Sequence, residues 1–228
     1  MIRISQLKLP ITHTKAQLEK KIAKALKNPG NSFTYEIKKQ SLDCRHKNDK
    51  IFVYTIDVTI RDEQKLARKV NNNNIMLIKE KPYEFPSPGE TPLLHSPVIV
   101  GSGPAGLVCG WYLAKAGYCP IILERGEEAE KRQKTVENFW KNGVLDPESN
   151  VQFGEGGAGT FSDGKLNTGT KDPRIRFVLE TFAACGAPGE ILWQAKPHIG
   201  TDRLAPTVRN LRQRILGLGG TVHFGACA

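Results

Sequence analysis

The stretch Val98–Arg125, VIVGSGPAGLVCGWYLAKAGYCPIILER, constrains the fold more than any other part of the sequence. Its first residues, Val98–Val100, form a β-branched run typical of a buried parallel strand. Gly101, Gly103 and Gly106 follow at the spacing G-x-G-x-x-G. In such a turn the first glycine makes the tight bend, the second lets a pyrophosphate approach the backbone, and the third lets the helix pack close to the strand. The spacing therefore predicts a strand, a glycine turn and a helix whose N-terminus faces phosphate groups.

The residues after the turn complete a βαβ unit. Leu107–Ala116 has the length of a helix, Gly117 stands where a left-handed C-cap is favoured, and Pro120–Leu123 supplies a second strand. Glu124 ends that strand, where a carboxylate reaches the hydroxyls of an adenosine ribose. A carboxylate there disfavours a 2′-phosphate, so NADP is not expected despite the neighbouring Arg125. From these residues alone, FAD and NAD both remain as the bound dinucleotide.

Charge is distributed unevenly along the 228 residues. Residues 1–97 hold 18 basic and 10 acidic side chains, whereas residues 98–228 hold 15 and 13. Such a bias occurs in proteins that bind nucleic acid or other anions, although lysine-rich solvated faces are the commoner cause. Five scattered cysteines with no C-x-x-C pair indicate neither a zinc site nor a disulfide framework. No apolar run reaches membrane-spanning length and the N-terminus lacks a signal-type apolar region, so we expect a cytoplasmic protein with no membrane partner.

Residues 1–80 are predicted to form a separate small domain. The apolar patterns predict, in order, a strand, a helix, two strands, a helix and a strand, over Ile2–Leu7, Thr14–Leu26, Phe33–Ser41, Ile51–Ile60, Glu63–Val70 and Ile75–Lys79. The order βαββαβ is typical of the α+β ferredoxin-like fold. Residues 81–97 contain five prolines and are predicted to be a semi-rigid linker.

RNA-recognition modules share the βαββαβ order, so a basic domain of this kind raises nucleic-acid binding as an alternative function. The third predicted strand offers Phe52 and Tyr54 as stacking residues, but it lacks the Lys/Arg-Gly-aromatic opening, and the first strand has no aromatic residue. Phe52 and Tyr54 are therefore interpreted as packing residues. Nucleic acid is not the favoured partner.

A second glycine-rich stretch, Val151–Thr168, VQFGEGGAGTFSDGKLNT, is predicted to be a loop that brings backbone close to a ligand. Gly159–Lys165 fits the G-x-x-x-x-G-K part of a P-loop, but Leu166 stands where Ser or Thr would bind magnesium, so an NTPase is rejected. Three helices and a final strand are predicted over Glu128–Trp140, Asp172–Gly186, Leu204–Leu218 and Thr221–Phe224. Pro206 is acceptable only near the first turn of its helix.

Four runs together carry a family resemblance: ILERG after the second strand, ENFWKNG at the end of the next helix, NVQFGEGGAGTFSDGKLNT, and KPHIGTD. With these runs the chain resembles the uncharacterised FAD-dependent dehydrogenases, which are similar to the glutathione-reductase-type flavoproteins. The likeness covers nearly the whole chain, including the SLDCR segment of the front domain. The long runs are more discriminating than the glycine triplet.

The resemblance implies FAD on the glycine turn, with Glu124 on the adenosine ribose and the second glycine-rich loop beside the flavin. Lys165 would then place positive charge near the flavin N1/C2 carbonyl, and His198 is a candidate for proton donation or substrate contact. The expected cofactor-binding residues are Gly101, Ser102, Gly103, Pro104, Ala105, Gly106, Glu124, Arg125, Gly156, Gly157 and Lys165. No catalytic residue and no metal ligand is assigned.

Members of this family are longer than 228 residues, so we expect the chain to be the N-terminal portion of a longer enzyme with an incomplete sheet. The predicted fold class is α/β: a ferredoxin-like domain over 1–80, a linker over 81–97, and the first part of a Rossmann-type FAD-binding domain over 98–228. The predicted function is FAD-dependent hydride transfer with an unknown substrate and electron acceptor, and NAD(P)H is a possible partner. The alternatives are an NAD-dependent dehydrogenase and a basic nucleic-acid-binding or partner-binding protein built on the front domain.

Overall fold

A computed structural model of the chain describes residues 1–28, 30, 32–46, 49–70, 72–162, 164–166 and 169–228. These residues form two compact units. Unit 1 comprises Met1–Pro82 together with Leu192–Pro197, and unit 2 comprises Tyr83–Ile191 together with His198–Ala228. Residues 163, 167 and 168 of the predicted glycine-rich loop lie outside the described ranges.

Unit 1 has its elements in the order predicted from the sequence. They are β1 (Ile2–Pro10), α1 (Lys15–Ala25), β2 (Phe33–Asp43), β3 (Ile51–Ile60), α2 (Glu63–Val70) and β4 (Ile75–Leu77). The four strands form one sheet in the order β2-β3-β1-β4, and each neighbouring pair is antiparallel. Helix α1 begins with a capping box, because the Thr14 hydroxyl accepts from the Gln17 N–H and the Gln17 side chain accepts from the Thr14 N–H.

One face of this sheet carries the hydrophobic core of unit 1. Helix α1 buries Leu18 and Ile22 against strand residues such as Ile4 and Ile56. Tyr54 is 3% exposed and belongs to the same core. Phe52 packs beside it, and the imidazole of His13 meets both rings edge-on. The interpretation of Phe52 and Tyr54 as packing residues is therefore confirmed.

The sheet of unit 1 also buries a carboxylate on its charged side. Asp57 of β3 is 2% exposed, and its two carboxylate oxygens each accept a hydrogen bond of 2.7 Å from the Arg3 guanidinium of β1. Next to this pair, the Lys38 ammonium lies 2.9 Å from Glu36 and 2.8 Å from Glu80. A buried carboxylate is stable only when it is paired and hydrogen-bonded, and the bidentate arginine supplies both.

A short segment from late in the chain completes β2. The Gln40 N–H donates to the Trp193 carbonyl at 2.8 Å, and the Ala195 N–H donates back to the Gln40 carbonyl at 2.9 Å. Gln194 thereby pairs with Gln40 in a parallel bridge. Residues 192–197, which the sequence pattern left as part of a loop, thus belong to unit 1.

Unit 2 is built around a parallel sheet. Its main elements are β5 (Val98–Val100), α3 (Pro104–Lys115), β6 (Ile121–Glu124), α4 (Ala129–Asn142), α5 (Arg174–Ala184), α6 (Thr201–Gly217) and β7 (Thr221–Phe224). The strand order is β5-β6-β7, and both pairs are parallel. Helix α6 contacts α3, α4, α5 and β7. It begins at Thr201, earlier than predicted, so Pro206 lies in its second turn rather than its first.

Part of the predicted linker packs into unit 2. The Phe85 ring stacks on Tyr112 of α3 with a centroid distance of 4.2 Å, and it meets Phe177 of α5 edge-on at 4.7 Å. Tyr83 contacts Phe85 edge-on at 4.8 Å. Aromatic pairs at these separations are stabilising beyond their buried area. Unit 2 accordingly begins at Tyr83.

Within the described ranges, no helix combines the length and apolar character needed to cross a bilayer.

The third glycine of the turn fixes how closely α3 approaches β5. A Cβ at Gly106 would lie 1.9 Å from the Gly101 carbonyl oxygen, whereas a Cβ at Gly110 of the same helix would meet the flexible end of the Ile122 side chain at 2.6 Å. We expect Gly106→Ala to lower the free energy of unfolding by about 3 kcal/mol or more, because backbone must move. Gly110→Ala should cost less than about 2 kcal/mol, since helix propensity offsets a side-chain shift. Urea unfolding of the two variants measures the difference, and equal losses would contradict the assigned contact.

Candidate functional site

The glycine turn leaves open backbone at the start of α3. Gly103 is the N-cap of α3 and Pro104 its first residue, so Ala105 and Gly106 follow in the first turn. The first N–H groups of a helix have no intrahelical acceptor and carry the positive end of the helix dipole. Among the described residues, no heavy atom lies within 4 Å of the position where Gly103 would carry a Cβ. The turn can therefore admit an anionic group against its backbone.

Glu124 is the buried acidic residue of the site. It ends β6 with 4% of its surface exposed. Its Oε2 accepts from the Ser102 N–H at 2.7 Å and from the Ser102 hydroxyl at 2.8 Å, and its Oε1 accepts from the Gly126 N–H at 2.9 Å. Burial disfavours the charged carboxylate, but these hydrogen bonds and the nearby Arg132 outweigh burial, so the pKa of Glu124 lies below its ordinary value. Three donors leave acceptor capacity for a ligand hydroxyl.

A cavity of about 380 Å³ brings five of the predicted residues together. Its wall includes Gly101, Gly103, Glu124, Arg125 and Gly157. This volume lies at the low end of the roughly 300–1,000 Å³ typical of small-molecule sites.

Other predicted residues lie beside this wall or apart from it. Ser102, Pro104, Ala105 and Gly106 belong to the same turn, and the Gly156 N–H donates to the Ser102 carbonyl at 2.9 Å. Lys165 does not line this cavity. It is exposed and forms an antiparallel bridge with His198.

Arg125, at the rim of the cavity, is held by two contacts. Its Nε lies 2.9 Å from Glu148 Oε2, and its guanidinium lies over the Phe153 ring at 4.5 Å. The hydrogen bond and charge of Glu148 raise the pKa of Arg125 further above its ordinary value. A cation is therefore fixed next to Glu124.

The described part of the glycine-rich loop is held by Arg132, a residue that the sequence analysis did not single out. Arg132 lies on α4 and is fully buried. Its guanidinium donates to four backbone carbonyls, at 2.7–3.0 Å, which belong to Asn150, Val151, Glu155 and Gly157. The guanidinium also lies 4.8 Å from the Phe161 ring centre. Burial lowers the pKa of Arg132 to about 10, against the opposing charges of Glu124 and Glu155.

A second buried arginine joins the loop to two helices. Arg212 of α6 is 6% exposed, and its guanidinium lies 2.7 Å from Glu128, 3.0 Å from Glu130 and 3.1 Å from Glu155. Glu155 is completely buried and also accepts from the Ala129 N–H, at the N-terminus of α4, at 2.9 Å. Burial raises the pKa of Glu155. The loop is thus fixed from both sides by buried charges.

The buried positions of α4 explain why Arg132 was missed. The sequence pattern assigned Val136, Phe139 and Trp140 to the apolar face, but Trp140 is 61% exposed. The buried residues are Ala129, Arg132 and Val136, which share one face at spacings of three and four. The sequence did contain one indication of this role: Arg132 lies three residues after Ala129 and four before Val136, so it shares the apolar face of α4.

Comparisons with known proteins cover both units. Residues 99–136 match the NAD(P)-binding Rossmann-like domain, and residues 1–59 match a domain of unknown function. A protein of Clostridium beijerinckii, described as an uncharacterized protein, is 43% identical over 226 residues. The match covers 99% of this chain and 42% of that relative, so the chain spans less than half of the relative's length.

The Rossmann-like match coincides with the turn, the helix and the carboxylate described above. It begins within β5, contains α3, β6 and Arg132, and ends at Val136. Unit 2 therefore contains a Rossmann-like dinucleotide-binding fold with a parallel sheet, which is consistent with a flavoprotein-type fold.

Replacing Arg132 tests whether the loop depends on it. We expect Arg132→Met to lower the free energy of unfolding by about 3 kcal/mol or more, because buried carbonyls left without donors cost about 1–3 kcal/mol each before relaxation. Lys131→Met is the matched control, since the Lys131 side chain is 69% exposed, and it should change stability by less than about 0.5 kcal/mol. Urea unfolding and limited proteolysis of residues 150–160 measure the effect. If Arg132→Met lowers the free energy of unfolding by less than about 1 kcal/mol, the loop keeps its conformation without Arg132.

The depressed pKa of Glu124 predicts a pH dependence. The fold favours the charged carboxylate, so its stabilisation is complete above the ordinary value of 4.5 and is lost as the pH falls through the lower folded pKa. We expect Glu124→Gln to lower the free energy of unfolding by about 1.5–3 kcal/mol at pH 7, with the difference from wild type shrinking below about pH 4.5. Urea unfolding from pH 3 to pH 7.5 measures it, and exposed Glu137→Gln is the control. A constant difference would contradict a charge-dependent role.

Proposed function

We propose that the protein is an FAD-dependent oxidoreductase and that unit 2 holds the adenosine and pyrophosphate parts of FAD in the cavity beside the glycine turn. One observation carries the proposal. The buried Glu124 carboxylate is fixed by Ser102 and Gly126 and lines the same cavity as Gly101 and Gly103.

The residues present fit such a cofactor. Open space above Gly103 and the uncapped start of α3 suit a pyrophosphate. The remaining acceptor capacity of Glu124 suits a ribose hydroxyl, and its negative charge opposes a 2′-phosphate. Arg125 is available as a second polar group at the rim.

Bound FAD would supply hydride transfer through its flavin N5. The chain would supply binding and orientation. Backbone of residues 101–106 would hold the phosphates, Arg132 would keep Gly157 in the wall, and Gly156 would keep the loop on Ser102. Lys165, paired in strand geometry with His198, is our proposed flavin-side cation. We assign no catalytic residue.

We further propose that unit 1 has a ferredoxin-like fold and that the family is that of the FAD-dependent dehydrogenases. The βαββαβ order and the sheet order β2-β3-β1-β4 support the first assignment. A small-molecule substrate, an electron acceptor and NAD(P)H as a hydride donor are proposed partners of the whole protein. The chain corresponds to only 42% of the relative that it matches.

The test is direct titration of the purified chain with FAD, NAD⁺ and NADP⁺, followed by flavin absorbance and fluorescence. We expect FAD to bind. Gly103→Val should weaken the affinity for FAD at least tenfold, because the valine side chain would fill the space above the turn. Gly217→Val is the matched control, because Gly217 ends α6 and the part of the chain that the structure describes leaves its Cβ position equally open.

Both variants should unfold cooperatively, which separates loss of binding from loss of fold. Binding of NAD⁺ without FAD would replace the proposal with an NAD-dependent enzyme, the alternative that the match to the NAD(P)-binding Rossmann-like domain favours. Equal FAD binding by Gly103→Val and wild type would overturn the assigned site.

A further inference from the structure

Unit 1 contains an open groove of about 890 Å³ between α1 and β2 that the proposed oxidoreductase does not use. Its rim carries Lys20, Lys24 and Lys27, and its floor carries Phe33 and Tyr35. The groove thus combines three cations with two aromatic rings.

The three lysines form a row along α1 and its C-terminal cap. Lys20 and Lys24 lie at i and i+4 on one side of α1, Lys27 lies in the cap just beyond the end of the helix, and all three are exposed and line the groove. At a rise of 1.5 Å per residue, Lys20 and Lys24 are about 6 Å apart along the helix axis. Among the described residues that line the groove, Glu19 is the acidic one; burial and the nearby charge of Glu19 raise the pKa of Tyr35. The groove therefore carries excess positive charge.

The two aromatic rings are anchored without being covered. Phe33 and Tyr35 pack against the core of unit 1 and remain half-exposed, with ring centroids 6.3 Å apart at an angle of 51°. A fixed and partly open aromatic surface is the kind on which a nucleobase stacks.

Lys27 is held in a conformation that normally belongs to glycine. Its φ is +51°, and the bonds from Lys27 N–H to the Lys24 carbonyl and from Asn28 N–H to the Ala23 carbonyl form a Schellman cap. A lysine there costs more backbone energy than glycine would. The strain coincides with a position where the side chain lines the groove.

The charge of the surrounding chain favours a large anion over a small one. Residues 1–82 hold 18 basic and 8 acidic side chains, whereas residues 83–228 hold 15 of each. The entire formal excess of +10 therefore belongs to residues 1–82, and such a field attracts polyanions.

We propose that this groove binds single-stranded nucleic acid, with bases on Phe33 and Tyr35 and phosphates on the lysine row. An acidic peptide would use the charges but not the aromatic floor, and a duplex keeps its base faces inside its own stack. The site differs from the sheet-face mode of RNA-recognition modules, because Tyr54 lies in the core. The proposal is independent of FAD binding, which involves unit 2.

Fluorescence anisotropy with a labelled 12-nucleotide single strand, as RNA and as DNA, between 50 and 200 mM salt is the first test. Three neutralised phosphates predict a slope of about −2 for log affinity against log salt. The combined variant Lys20→Gln, Lys24→Gln and Lys27→Gln should remove most of that slope. The matched control combines Lys39→Gln, Lys65→Gln and Lys69→Gln, which removes the same charge at exposed positions outside the groove. This control variant should keep most of the salt dependence.

Two further variants separate stacking and folding from charge. Tyr35→Leu should weaken binding about five- to 150-fold, because one base loses its stacking partner. Tyr35→Phe keeps the aromatic ring and should bind as tightly as the wild type. Lys27→Gly should raise the melting temperature by relieving the left-handed lysine and yet weaken binding, which no general destabilisation can produce.

Three results would overturn the proposal. The first is the absence of salt-dependent binding. The second is an equal loss of affinity in the groove triple variant and in the control triple variant. The third is competition by polyglutamate or by duplex that is as strong as competition by the unlabelled single strand.

Discussion

The glycine-rich loop of unit 2 is arranged around one buried cation, Arg132. Transfer of a charged guanidinium out of water is strongly unfavourable unless hydrogen bonds replace its hydration. Arg132 is fully buried and donates to four carbonyls of the glycine-rich loop. Glycine-rich backbone has high conformational entropy when it is free. The arginine removes that freedom, and Arg212 with Glu155 fixes the same loop from the other side. Gly154 and Gly157 can then form a fixed wall of the cavity.

Much of the fold follows from local patterns in the sequence. The strands Ile51–Ile60, Val98–Val100 and Thr221–Phe224 have the predicted bounds, because β-branched runs end at strong turn residues. The turn at residues 101–106 and the carboxylate of Glu124 meet as their spacing predicts, since the carboxyl ends of neighbouring parallel strands share one edge of the sheet. These contacts need only about 25 residues of chain, so short-range reasoning reaches them.

The remaining features depend on contacts that spacing does not encode. Arg132 and Arg212 occupy buried helix faces, where charged residues are rare unless partners from elsewhere in the chain satisfy them. Phe85 has a proline-rich context typical of a linker, but in the fold its ring packs against Tyr112 and Phe177. Lys165 lies outside the cavity that holds the other predicted residues, because its bridge to His198 aligns it with a different segment.

The pairing of Gln40 with residues 193–195 has a consequence for biosynthesis. Domains generally fold as they leave the ribosome, N-terminal first, at about 5–20 residues per second. The outer edge of β2 therefore stays uncovered for on the order of 10 s after synthesis of Gln40, the time needed to synthesise the chain as far as Trp193. An uncovered strand edge can pair with another chain. The exposed Lys39, next to Gln40, is the kind of charged edge residue that disfavours such pairing until Trp193 is in place.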